Sequence, residues 1–189
     1  MSEEAVIKYI NAPLTEETVK DLHAGDVVRI SGYIYTARDA AHKRLYEALE
    51  RGEKQPLDLT NNVIYYVGPT PAKPGEVVGS AGPTTSGRMY AMSPRLRDLG
   101  NKIMIGKGKR DTAVKAAVVR NGAVYLAALG GAGALMAKSV QTLEVIAWPD
   151  LGCEAVRRLT VQDMPLTVVL DAHGGDLYEA GPAAYLATR

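Results

Sequence analysis

The chain has 189 residues, 47% hydrophobic and 23% charged, with a formal net charge of +1. That length supports one domain, residues 1–189, with a sizeable core, and the near-neutral balance gives no electrostatic case for nucleic acid or an anionic membrane as partner. A single cysteine, Cys153, excludes an internal disulfide framework, and with no basic-then-apolar leader and no apolar run near the ~20 residues of a membrane span, a cytoplasmic location is the default expectation.

In chain order, "NAPLTEETVKDLHAGD" predicts a helix with Thr15 as N-cap, Glu16 and Glu17 in its first turn and Gly25 just past its end. "DVVRISGYIYT" (26–36) reads as a strand. "RDAAHKRLYEALERGE" is an amphipathic helix, with Ala41, Leu45 and Leu49 at four-residue spacing, Asp39 as cap and Gly52 as stop. "NVIYYVG" is a short apolar strand. Residues 68–85, "GPTPAKPGEVVGSAGPTT", form the longest irregular stretch, and such a loop in a compact domain is functional or disordered.

"RMYAMSPRLRDLG" then reads as a helix with Met89, Met92, Leu96 and Leu99 on one side, and "KIMIG" as a strand. "RDTAVKAAVVRNG" is a helix ended by Asn121 and Gly122, followed by strand "AVYLAALGG", short helix "AGALMAKSV" and strand "LEVIAW". "MPLTVVLDAHGGDLYEAG" reads as two short strands around a Gly-Gly turn. The expectation is a single mixed α/β domain with a C-terminal hairpin.

Three segments share one design: a strand ends, a turn of small residues follows, and a cation sits at or near a helix start. They are "YIYTARDAAHKR", "AGPTTSGRM" and "MIGKGKRDT". Main-chain N–H groups at a helix start favour anions, and a guanidinium adds a planar fork matched to a carboxylate. Ligands of α/β sheets collect beyond the carboxyl ends of strands, so Arg38, Arg88 and Lys107 converge on an anion if the turns share one edge. The bland alternative for each is a surface charge or a cap partner. "GKGKR" lacks the spacing of a phosphate loop, which sets nucleotide binding aside by that route. His42 reads as a packing or helix-surface residue, His23 as a dipole partner and His173 as part of a turn. Asp171, His173 and Asp176 imitate a metal site, but a solvated turn is the simpler account. Cys153 has no base beside it.

"SGYIYTARDAAHKRL", "GPTTSGRM" and "IGKG", in this order, resemble the C-terminal domain or β subunit of the class I iron–sulfur hydro-lyases, which comprise class I fumarate hydratases and L(+)-tartrate dehydratases. "LGCEAVRRLTVQDMPLTVVLDAHGGDLYEAG" fits as well, and the likeness runs over roughly residues 5 to 180. The resemblance implies a swivelling β/β/α domain facing an α-type domain that carries a [4Fe-4S] cluster. It implies reversible hydration of fumarate to L-malate, a step of the tricarboxylic acid cycle, or dehydration of tartrate to oxaloacetate. A cluster needs several thiolates, and this chain has one cysteine. The implied partner is therefore an alpha subunit holding the cluster, with a homodimer of beta chains or an α2β2 assembly as the family-level expectation.

By the same resemblance Arg38 and Arg88 match the substrate-carboxylate arginines and Lys107 the active-site lysine. Thr84 matches the residue beside the carbon that exchanges a proton. Two readings of Thr84 stay open: it carries the proton once activated by a base on the partner, or it only positions substrate. Thr85 joins the substrate-binding set, and Asp39, His42 and Ser86 support it. Two positions depart from the pattern: Tyr90 stands where Asp is common after "GRM", and Cys153 where Met is. The same cations would equally serve a dicarboxylate- or anion-binding module without catalysis.

Overall fold

Strands and helices alternate through residues 6–188, the part of the chain that the computed structural model describes. They are β1 (Ile7–Ala12), α1 (Glu16–Lys20), β2 (Val27–Thr36), α2 (Asp39–Glu50), β3 (Val63–Tyr65), α3 (Ser93–Asp98), β4 (Ile103–Gly106), α4 (Thr112–Arg120), β5 (Val124–Ala127), α5 (Gly133–Lys138), β6 (Val140–Ala147), β7 (Val156–Leu170) and α6 (Leu177–Ala187). A 3-10 turn covers Ser86–Met89, and Pro149–Glu154 is a pair of short 3-10 turns kinked at Gly152. The expected domain bounds also took in residues 1–5 and 189, which lie outside the described ones.

Strands β1 to β5 pair in parallel, and β7 runs back antiparallel to β2, β5 and β6. Because β7 meets β2 along one side and β5 at its far end, β2-β3-β4-β5-β7 close into a small barrel, flanked by β1 and β6. The result is a mixed α/β domain.

Alternation along the strands divides the apolar residues between two cores. Val63 and Tyr65, Ile103 and Ile105, and Val124 and Leu126 point into the barrel with Val28, Ile30, Ile34 and Leu159. Ile64, Tyr66, Met104 and Tyr125 point outward, under Ala41 and Leu45 of α2, Leu96 of α3, and Val114 and Val118 of α4. Burying one such Leu or Val contributes about 1.5–3 kcal/mol. Both faces of β3–β5 are covered, which is why these segments are unbroken apolar runs.

The structure corrects several expectations. Past β7 there is no hairpin. The chain turns through residues 171–176 and enters α6, with Asp176 as N-cap accepting from the Tyr178 N–H at 2.9 Å. The tip of the Asp171–Asp176 turn, His173 and Gly174, is exposed as expected, but its root is not. The Asp171 carboxylate is buried and accepts N–H groups from Ala24 (2.8 Å), His173 (2.9 Å) and Gly175 (2.8 Å). Burial pushes its pKa up, but those three donors outweigh it and hold the carboxyl below the usual range.

The helix expected over residues 88–100 breaks into the 3-10 turn and α3, because Pro94 can only start a helix. Asp39 is the first residue of α2 rather than its cap; Arg38 holds that position and makes no side-chain cap. Residues 7–12, not assigned from the sequence, form β1 on the edge of β2. The loop of residues 68–85 is ordered by bonds between Thr70 and both Gly79 and Ser80, and by the Tyr65 hydroxyl on the Ala81 carbonyl.

Candidate active site

Register alone sets the height of the site. Thr36 of β2 lies level with Tyr65 of β3, Tyr65 with Ile105 of β4, and Ile105 with Leu126 of β5. The parallel strands therefore end together, and Arg38 and Lys107 both come two residues past that level. Two strand spacings separate β2 from β4, about 10 Å. The third cation arrives by the loop. The Thr84 N–H donates to the Tyr66 carbonyl (2.7 Å), Thr85 pairs with Lys107, and the Ser86 N–H donates to the Lys107 carbonyl (2.9 Å). The turn Thr84–Arg88 is thus stitched between the exits of β3 and β4.

Arg38 and Arg88 meet on one carboxylate oxygen. Asp39 Oδ2 lies 3.6 Å from Arg38 Nε and 3.4 Å from Arg88 Nη1. Arg38 Nη2 also pairs with Glu154 Oε1 at 2.9 Å, while Glu154 Oε2 accepts the Ala40 N–H at 2.7 Å. Glu154 thus answers both the guanidinium and the open start of α2. A Cβ at Gly68 would stand 2.9 Å from Arg38 Nη1, so the bare backbone there leaves room for the guanidinium. The Lys107 side chain crosses Gly130, whose absent Cβ would sit 3.6 Å from Lys107 Cδ.

Below this surface lies a buried polar layer. The Ser86 hydroxyl bonds Tyr125 Oη at 2.9 Å, and a side chain at Gly106 would collide with it. Arg110, 4% exposed, donates to the Ser86 carbonyl and to Ser93 Oγ (2.7 Å), with its guanidinium among the rings of Tyr66, Tyr90 and Tyr125. Tyr90, where the family pattern has an acid, instead donates to the Lys109 carbonyl at 2.8 Å. His42 is fully buried. Its Nδ1 must donate to the Arg38 carbonyl (3.1 Å), because a carbonyl only accepts. Burial above all, with Arg97 and Arg110 nearby, pushes its pKa down to about 3 against the partial support of that bond. It stays neutral and holds the backbone at Arg38.

An iron–sulfur cluster does not fit the residues present. Among the described residues no group of three or more His, Cys, Asp and Glu could hold a metal ion, and Cys153 is an exposed thiol on the Pro149–Glu154 turn. The arrangement is a cationic face on an open end of the barrel. Two concavities of about 470 and 590 Å³ lie elsewhere and contain none of Arg38, Arg88 or Lys107.

The sequence matches the family model described as "Fumarase C-terminus" over residues 2–181. The chain belongs to the fumarase C-terminal family. Among relatives, it is 41% identical to "Putative L(+)-tartrate dehydratase subunit beta" of Methanocaldococcus jannaschii, covering 92% of each chain. It is 35% identical to "Fumarate hydratase class I, aerobic" of Salmonella typhimurium, where 93% of this chain covers 31% of the relative. It is 37% identical to "Fumarate hydratase 2" of Leishmania major, over 82% of this chain and 28% of that one. The chain therefore spans about a third of the fumarate hydratases and nearly the whole of the archaeal subunit.

No helix of the described residues is long and apolar enough to cross a membrane. Sequence reasoning missed several residues that adjoin the expected ones: Glu154, which pairs with Arg38; Arg110 and Tyr125, which pack around Ser86; and Tyr178, whose hydroxyl accepts the Gly108 N–H. Only the spatial meeting of distant segments reveals them.

Proposed function

We propose that the chain is the beta subunit of a two-subunit hydro-lyase that reversibly hydrates fumarate to L-malate. The observation that carries this reading is the pair of guanidinium groups held on the single oxygen of Asp39, at the same barrel end as Lys107. Asp39 marks where an anion sits between them. Taking a proton from the carbon beside a carboxylate leaves a dianionic enediolate, and cations fixed in advance stabilise that state more than the substrate. Arg38 and Arg88 would hold one carboxylate and Lys107 would meet developing charge at the other end. Thr84, held through its N–H on the Tyr66 carbonyl, would stand beside the reacting carbon. As a proton carrier it needs a base from the partner; as a positioning group it needs none.

The cluster implied by the family pattern would belong to an alpha subunit seated on the open end of the barrel. The domain would then act as the mobile, swivelling half of that assembly, in the cytoplasm. A second reading, the beta subunit of an L(+)-tartrate dehydratase, is favoured by the archaeal relative of matching length.

The test is anaerobic co-expression with an α-type chain, followed by absorbance assays on fumarate, malate and the tartrate isomers. Hydration of fumarate is expected, with a loss of at least ~100-fold for Arg88→Ala, the scale of one stabilising donor. Turnover by this chain alone would overturn the half-site reading. Tight binding of diacids with no turnover under any pairing would leave a binding module in its place.

A further inference from the structure

The two residues Lys107 and Gly108 present four main-chain polar groups, and all four are held, by three partner residues. The Lys107 N–H donates to Ser86 Oγ at 3.2 Å, and its carbonyl accepts the Ser86 N–H at 2.9 Å. The Gly108 N–H donates to Tyr178 Oη at 3.1 Å, and its carbonyl accepts from Tyr125 Oη at 2.9 Å. The partners come from the loop, from β5 and from the first turn of α6. Gly108 itself has φ +85, a conformation that other residues adopt at a cost.

The direction of the hydrogens is fixed as well. Tyr125 is fully buried, and burial pushes its phenol well above the ordinary range, so it keeps its proton. That proton goes to the Gly108 carbonyl, which can only accept. Ser86 must then donate to Tyr125 and accept from Lys107. The chain Lys107 N–H to Ser86 to Tyr125 to Gly108 C=O begins and ends on adjacent residues, and bonds in such a series polarise one another. Tyr178 closes the remaining side.

We propose that Tyr125 and Tyr178 are positioning residues that lock the Lys107–Gly108 backbone, so that the Lys107 ammonium is presented to the substrate from a fixed root. The inference rests on the reading that Lys107 meets the diacid. A lysine ammonium rides on a flexible four-carbon stem, so the backbone is the part that can be arranged beforehand. Small misplacements of a charged group cost far more in rate than in stability.

The experiment uses the assembled two-chain enzyme and reads two quantities, kcat/KM for fumarate and the calorimetric Kd of succinate, a C4 diacid that cannot be hydrated. Tyr178→Phe, which keeps the ring and removes only the hydroxyl, is expected to lower kcat/KM by ~10-fold, the scale of one unmade hydrogen bond. Its melting temperature should fall by only about 2–4 °C, the scale of one lost hydrogen bond in a domain of this size, and Tyr9→Phe on the exposed edge of β1 should leave both quantities unchanged. Tyr125→Phe should act in the same direction; if it fails to fold, Tyr178→Phe carries the test.

The deciding measurement is the double variant. With Lys107→Ala already in place, Tyr178→Phe should change kcat/KM and the succinate Kd by less than about 2-fold, the margin within which unrelated effects are additive. A full additional loss would overturn the positioning role, as would Tyr178→Phe matching the wild type while Lys107→Ala is impaired. Lys107→Ala at wild-type activity would overturn the reading of the site itself, and the tyrosine inference with it.

Discussion

Gly106 has no room for a side chain because the Ser86 hydroxyl occupies the place a Cβ would take. Gly106→Ala should therefore push Ser86 off both Tyr125 and the Lys107 N–H, costing about 1–3 kcal/mol by overpacking. A lowered urea midpoint together with a larger fall in turnover would show both effects. His42 makes a pH prediction. An unfolded histidine takes up its proton near 6.5 and the folded one only near 3, so acid favours the unfolded chain. The stability carried by neutral His42 is complete above about pH 6.5 and drains as pH falls toward 3, by up to about 1.4 kcal/mol per pH unit. His42→Leu should flatten that limb in urea titrations run across the window; an unchanged limb would remove His42 as its cause. Much at this scale could be read from residue types. Arg38, Arg88 and Lys107 each follow a strand and a small-residue turn, and the structure brings those turns to one barrel end. The acid between the two arginines lay next to Arg38 in sequence. Glu154 and Tyr178 did not, because they reach the site only through the closure of the sheet.

Between elements, the contact that matters most for the site is the one from the Pro149–Glu154 turn to the start of α2. Glu154 spans Arg38 and the Ala40 N–H, and Asp150 pairs with Arg44 one turn further along. Glu154→Ala should weaken diacid binding by ~10-fold, the scale of a lost charge-assisted bond, with little change in far-UV circular dichroism; calorimetry on the two-chain enzyme would measure it. Elsewhere, Gly32 interrupts β2 with φ +104, and a Cβ there would run into the Ala12 carbonyl of β1. Gly32→Ala should cost about 1–3 kcal/mol through strain and lost β1 pairing, visible as a lower melting temperature. The strand-helix alternation from β2 to β6 was legible because apolar runs and the stops at Gly52 and Gly122 agree there, although the cap expected at Asp39 falls on Arg38. β7 was only half legible, since Arg157, Arg158 and Asp163 break its apolar pattern while it serves three neighbours on changing faces. α6 was hidden by Gly181 and Pro182, residues that argue for a turn until Asp176 is seen capping Tyr178.

At the scale of the whole molecule, the cationic end of the barrel is an open surface, and Arg88 stands 57% exposed on it by its side chain. Charges so exposed bind small diacids weakly in water, because solvent screens them. Covering that end should therefore raise succinate affinity by more than any single substitution lowers it, which calorimetry on the chain with and without an α-type partner would measure. Equal affinities would mean that this face works uncovered. A different consequence follows from β7. During synthesis it emerges after every strand it must join, and until residues 156–170 are out, β2 and β5 expose unsatisfied edges that invite pairing with other nascent chains. Protein made from a message cut short before Val156 should accumulate in the insoluble fraction, since nothing earlier in the chain can shut the ring.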